Sequence, residues 1–264
     1  MSQDHPENGS HALTIVAVAI VAYAAADVVH EVVGHLLVAR LSGITALSIS
    51  SVALQTVQRS RVVSAAGTTA NIGAGVLAFV LLAQVRRFDP LRYFLWLFGF
   101  VSLMNSGYLV FSAALNSGDW AVVISGLNPP WAWRIGMAVV GMILYRVAVA
   151  VAASAMVTWL KKGELRPGDL PRLIWLPYFA GGVLMVTASA FNPVGPRFIL
   201  ISGIGGSFGL TWGLMLLPRI LADYQDQRVA ATNHLRLERA WIGLAIIVAI
   251  GFIGVFGPGI RLTR

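Results

Sequence analysis

The chain has 264 residues, of which 57% are hydrophobic and 11% charged, and it carries a formal net charge of +8 with a mean hydropathy of +0.77. An ordinary soluble domain carries about 25% charged residues, so a chain this poor in charge has no means of covering an aqueous surface. Soluble globular, disordered and coiled-coil classes are excluded, and a polytopic membrane protein remains; its apolar runs are continuous rather than alternating, which reads as an all-α helix bundle and not a strand barrel.

The positive charge does not read as nucleic-acid binding. The 17 Arg and 2 Lys are scattered through short gaps between apolar runs, which is how membrane proteins place their anchoring charges. The bilayer is the expected partner, and no nucleic acid is. The absence of cysteine excludes a disulfide framework, a thiolate metal site and a cysteine nucleophile.

Taken in chain order, residues 1–10 hold Asp4 and Glu7 and no Lys or Arg, the reverse of a signal peptide's positive start. The apolar run that follows ends its first half in small residues at 22–26 but continues through Leu37, so it is expected to be a retained first helix over roughly 12–39. About 20 apolar residues cross the hydrocarbon, and further runs at roughly 62–85, 91–115, 132–160, 173–191, 198–221 and 240–260 meet or approach that length. Seven spans are expected, within six to eight. They form a single membrane domain over 1–264, with residues 1–125 as the core that carries the chemistry and 126–264 as additional helices.

Two gaps stand out. Residues 41–58 are mildly polar and rich in Ser, Thr, Val and Ile, which suits a short hairpin or a loop dipping into the membrane. Residues 116–133 carry three Trp and a Pro pair and suit an interfacial or re-entrant segment, tolerable at depth beside protein or a water-filled cavity. Segment 191–196 reads as a tight loop. The glycines at 203, 205, 206, 209 and 213 read as close helix packing, because no Lys-Ser/Thr follows them. His234, among Asp223, Asp226, Arg228 and Arg236, reads as a loop residue. Trp96, Trp131, Trp133 and Trp241 are expected at the membrane interface. With seven spans, the gaps after the second, fourth and sixth hold 11 Lys and Arg against 7 on the other side, a difference that leans toward a cytoplasmic N-terminus and assigns no side to the site.

The chemistry lies in the first run. Asp27, His30, Glu31 and His35 are four ionisable groups within nine residues of an otherwise apolar span. Charged groups in a span face a cavity or a bundle interior and mark function. Pairing among themselves or with Arg146, as a counter-charge or second-shell group, is the plain structural alternative; Arg146 otherwise snorkels to the interface. Two imidazoles beside a carboxylate are the parts of a zinc hydrolase, in which both His bind one Zn²⁺ and the Glu activates the metal-bound water. In H-E-x-x-H the two His, four residues apart, share a face after about 400° of turn. Here H-E-V-V-G-H is one residue longer, which in a regular helix sets His30 and His35 roughly 140° apart. A π-bulge at Gly34 would bring them back together; alternatively Asp27, Glu31 and His35 form the shared face of a regular helix.

The motif H-E-V-V-G-H resembles the lengthened zinc motif of the dipeptidyl-peptidase III family over six residues. A broader resemblance, over roughly 25–122, is to site-2-protease-like (M50-type) intramembrane zinc metallopeptidases. The run HEVVGHLLVARLSGI is similar to that family's first motif. SAAGTTANIGAGVLAF is similar to its A-G-P-x-x-N segment, with Gly67 and Asn71 matching and Thr68 in place of Pro. Asn116-Ser117-Gly118-Asp119-Trp120 stands where the family has L-D-G. The resemblance implies one Zn²⁺ on His30, His35 and Asp119, with Glu31 as general base. It implies hydrolysis of a peptide or membrane-protein substrate in a bacterial-type cytoplasmic membrane. Asn71 and Asn105 are candidates for orienting the substrate or its oxyanion. The first and third spans run in the same direction, so His35 and Asp119 are expected at similar depth. Two rivals remain: an ion or proton transporter that uses Asp27, His30, Glu31 and His35 as a relay, and a metal-free relative acting as an interaction protein.

Overall fold

The computed structural model describes residues 10–225 and 234–262; Asp4, Glu7, Asp226 and Arg228 lie outside them. Among the described residues, seven helices are long and apolar enough to cross a membrane. They are α1 (Ala12–Leu41), α2 (Arg61–Leu82), α3 (Pro90–Leu115) and, after the short α4 (Asp119–Ile124), α5 (Pro130–Lys161), α6 (Pro167–Ala190), α7 (Ile199–Ile220) and α8 (Arg239–Phe256). Their starts follow ordinary capping chemistry. Ser60 accepts from the Val63 N–H at the head of α2, and Asp89 accepts from the Arg92 N–H at the head of α3, each pairing an otherwise orphaned donor. Pro90, Pro130 and Pro167 occupy first-turn positions where a missing N–H costs nothing.

The connection 42–60 is a hairpin. β1 (Ala46–Ile49) pairs antiparallel with β2 (Leu54–Thr56), and β3 (Ile260–Arg261) adds to the other side of β1. This ties the end of the chain to the loop after α1, helped by the Ser51 N–H on Phe256 O at 3.0 Å. It also shortens the last span, expected to reach 260, because Ile260 lies in a strand.

α1 is the central element, packed against α3, α6 and α8, while α2 crosses its second half and α5 packs on α3. One hydrophobic cluster draws on all seven long helices, and many outward Leu, Ile and Val side chains are exposed, among them Leu77, Ile143, Val183, Leu200 and Ile247. A bundle with an apolar rind suits lipid as solvent.

Trp96 corrects the expectation of an interfacial anchor. It is fully buried, donates its indole N–H to Ala152 O at 3.1 Å and packs among Tyr93, Phe100 and Trp159. Trp131 and Trp133 are exposed. Segment 191–196 is a loop closed by the Asn192 carboxamide oxygen, which accepts from the Val194 and Gly195 N–H groups. Four of the five α7 glycines, at 203, 205, 206 and 213, leave no ordinary room for a Cβ against neighbouring helices, whereas Gly209 meets only its own helix. His234 lies half-buried in the loop before α8.

Candidate metal centre

Over Val29–Leu36 the α1 helix widens into a π-helix. Its i→i+5 pattern absorbs the extra residue of H-E-V-V-G-H and puts both imidazoles on one face, their ring centroids 4.8 Å apart. The regular-helix alternative, with Asp27, Glu31 and His35 in line, is not the one the chain adopts. Gly34 serves a packing purpose rather than a turn: a Cβ there would stand 2.5 Å from Gly67 Cα, so α1 and α2 cross backbone to backbone. Directly opposite, a Cβ on Gly67 would stand 2.6 Å from both His30 Nε2 and His35 Nε2. The glycine pair is what lets α2 form the floor beneath the two rings.

Nε2 of both rings points at one carboxylate oxygen. Asp119 Oδ2 lies 3.5 Å from His30 Nε2 and 3.3 Å from His35 Nε2. Asp119 begins α4, reached by a left-handed turn in which Asn116 (φ 50°) ends α3 and Gly118 (φ 84°) precedes the aspartate. The position of α4 is fixed from α2: the Trp120 indole N–H donates to Thr68 Oγ1 at 3.0 Å, and Thr68 is fully buried. Thr68, the departure from the resembled motif, is thus the acceptor that docks the aspartate's helix. Burial alone would raise the Asp119 carboxyl, but hydrogen bonds and charge from His30 and His35 outweigh it and hold the group well below the usual carboxylate range.

The far side of each ring is held as well. His35 Nδ1 is 2.7 Å from Val63 O; a carbonyl only accepts, so Nδ1 carries a proton, and Nε2 is the atom that would offer a lone pair once a cation took the place of the proton it shares with Asp119. His30 Nδ1 is 3.4 Å from the Asn71 carboxamide, whose oxygen has no partner. Exchanging the indistinguishable amide O and N lets that oxygen accept from Nδ1–H, which again frees Nε2. Such outer hydrogen bonds orient metal-binding histidines.

These groups fit a small divalent cation. Donors about 2.0–2.2 Å from one Zn²⁺ at tetrahedral angles stand about 3.3–3.5 Å apart, the spacing of Asp119 Oδ2 from both imidazole nitrogens. His30, Glu31 and His35 present buried ligand atoms all within 4.8 Å of one another. Glu31, which takes a backbone hydrogen bond from Leu54 of β2, has one oxygen buried with no partner, as do Asp27 and Asn105. Unpaired buried acceptors are costly, and here they converge on one cavity.

That cavity, about 1010 Å³, is lined by Asp27, His30, Glu31, His35, Asn105 and Asp119 at its inner end. Its lining includes Tyr23 and Val101; beyond them toward the other face the bundle is filled by Trp96, Leu97 and Trp159. Tyr108, whose ring lies 5.5 Å from that of His30, also lines it. Tyr108 and Trp120 carry no local signal of these contacts, because each is made across helices, whereas Gly67 is marked by its place in the segment similar to A-G-P-x-x-N. Arg146 is not brought to the site. It is exposed on α5, beside a separate apolar crevice, and joins none of the ion pairs among the described residues, so it is neither counter-charge nor second-shell group to α1. Comparison of the chain with family models, with curated proteins and with solved structures returns no match.

Proposed function

We propose that the protein is an intramembrane zinc-dependent peptidase of the site-2-protease-like kind. The observation that carries this reading is the convergence of His30 Nε2, His35 Nε2 and one Asp119 oxygen at 3.3–3.5 Å, beside a buried carboxylate with a free oxygen, Glu31. His30, His35 and Asp119 would hold a Zn²⁺, whose chemistry there would be Lewis acidity toward a peptide carbonyl and toward water. The protein's own groups do the rest. Val63 O and Asn71 fix the ring orientations. Glu31 takes the proton from the attacking water and hands it to the leaving amine. The Asn105 carboxamide, on the cavity wall, orients the substrate backbone. The bilayer that surrounds the bundle is of the bacterial cytoplasmic type in this reading.

The one-ended cavity favours a hydrolase over a transporter. A relay for ions needs polar groups continuing to the opposite face, whereas α1 before Asp27 is apolar apart from Thr14 and Tyr23 and its surroundings are filled with aromatic side chains.

Elemental analysis of detergent-purified protein tests the metal. The expected outcome is close to one zinc per chain, lost in His30→Ala and His35→Ala, reduced in Asp119→Ala and retained in Glu31→Gln. A wild-type protein without zinc after chelator-free purification overturns the reading.

A further inference from the structure

The exposed end of the cavity has a charge pattern that the metal chemistry does not use. Four arginines line it: Arg59 and Arg61 after the hairpin, Arg134 in the first turns of α5 and Arg197 in the loop before α7. Arg134 donates to Ala113 O and Ala114 O at 2.8 and 3.1 Å, capping the end of α3, and Arg61 donates to Ser125 O, bracing the loop after α4. Arg59 and Arg197 are exposed and make no hydrogen bond or ion pair among the described residues.

Among the described residues, the connections on the same face are 42–60, 116–129, 191–198 and 257–262, and the only acidic side chain they offer these cations is Asp119, whose Oδ2 is already engaged by both imidazoles. Membrane anchoring alone does not explain the arrangement: arginines that serve only to anchor at the interface have no need to converge on a cavity from three separate segments of the chain. Guanidinium groups left unpaired around a polar cavity recognise carboxylates, by paired, charge-assisted hydrogen bonds.

We propose that Arg59 and Arg197 form a carboxylate-binding rim that selects peptide segments bearing a negative charge beside the bond presented to the inner site. This deepens the peptidase reading and rests on it for the substrate's being a peptide. The rim places the carboxylate at the exposed mouth, away from Asp27, Glu31 and Asp119, which would repel it. The charge comes from an Asp or Glu side chain or from a free C-terminus, and the two sources predict different peptide behaviour.

The test is peptide binding to the full chain in neutral phosphatidylcholine nanodiscs, read by fluorescence anisotropy of dye-labelled peptides. Three probes are compared: an Asp/Glu-containing peptide with an amidated end, a neutral peptide with a free carboxylate, and the same neutral peptide amidated. At least one carboxylate probe is expected to bind roughly tenfold more tightly than the amidated neutral one, and the preference weakens as salt is raised. Which probe gains identifies the source of the carboxylate. Arg59→Gln combined with Arg197→Gln abolishes the preference while leaving zinc content and the thermal midpoint unchanged, because neither side chain holds the fold. His35→Ala keeps the preference while losing zinc, so failure of the rim and failure of the metal site are told apart. Equal binding of all three peptides, or a preference that survives the double substitution, overturns the proposal. So does a double variant whose altered binding is confined to nanodiscs containing phosphatidylglycerol, since the arginines then serve lipid headgroups.

Discussion

Two small residues on α2 govern whether the inner site assembles. Gly67 lies so close beneath the imidazoles that a methyl group would stand 2.6 Å from each Nε2, inside van der Waals contact. Gly67→Ala is therefore expected to push the rings apart and lower zinc content toward that of His35→Ala. Gly73→Ala on the same helix meets nothing within 4 Å; it should keep its zinc and gain roughly 0.5–1 kcal/mol, as alanine in a helix does over glycine. If both alanine variants keep a full complement of metal, the floor beneath the rings does not matter. Thr68→Val tests the other contact, since it keeps the volume but removes the acceptor of the Trp120 indole. Freed from that anchor, α4 no longer fixes Asp119, and zinc affinity measured by chelator competition is expected to fall roughly 10–100-fold. Unchanged affinity would show that the turn at Asn116–Gly118 positions the aspartate unaided.

At the scale of elements, the π segment of α1 absorbs the extra residue of the lengthened motif and brings both imidazoles to one face. Val33 is exposed on its outer side. Its deletion leaves H-E-V-G-H, in which His30 and His35 stand four positions apart and share a face in an ordinary helix. The flanking α-helical stretches, Ala12–Val28 and Leu37–Leu41, keep their register because the π turn and the extra residue vanish together. The deletion variant is expected to retain zinc, whereas an added alanine after Val33 should lose it. Loss of zinc in the deletion variant would mean that the wide turn itself shapes the site. How much of this was legible beforehand follows from range. Hydropathy located the seven spans because the hydrocarbon thickness imposes a length on each one, and the ionisable cluster on α1 stood out against apolar neighbours. At 46–56 the sequence is compatible with a hairpin and with a re-entrant loop alike, because a few β-prone residues fit either. β3 left no sequence trace: two residues become a strand only because β1 offers a free edge. Trp96 departs from its expected place, and Arg146 takes the snorkelling alternative rather than the counter-charge one, for a related reason. Tryptophan suits both a core and an interface, and an arginine in a span declares a need for a partner without saying where it points.

Across the whole molecule, the two ends of the bundle do different work. The face opposite the cavity is fastened by polar contacts that reach across the chain. Ser10 donates through its N–H and its hydroxyl to the buried Asp169 at 3.1 and 2.8 Å, and Arg92 pairs with Glu164 at 2.6 Å while lying 5.2 Å above the ring of Trp159. Arg92 is 7% exposed, so removing Glu164 strands a buried guanidinium. Breaking a buried pair in this way costs about 3–5 kcal/mol; the partial exposure of Glu164, 21% in its side chain, places the expected loss at the lower end. Glu164→Ala should lower the thermal midpoint in detergent, and Arg92→Met with Glu164→Leu should recover much of the loss, because an apolar pair of similar volume needs no desolvation. Zinc content is expected to stay at the wild-type level in both, since these groups share no partner with the metal site and distant perturbations act independently. A Glu164→Ala protein that remains folded yet loses its zinc would show instead that the fastened end holds α3 and α5 in the register on which the inner site depends.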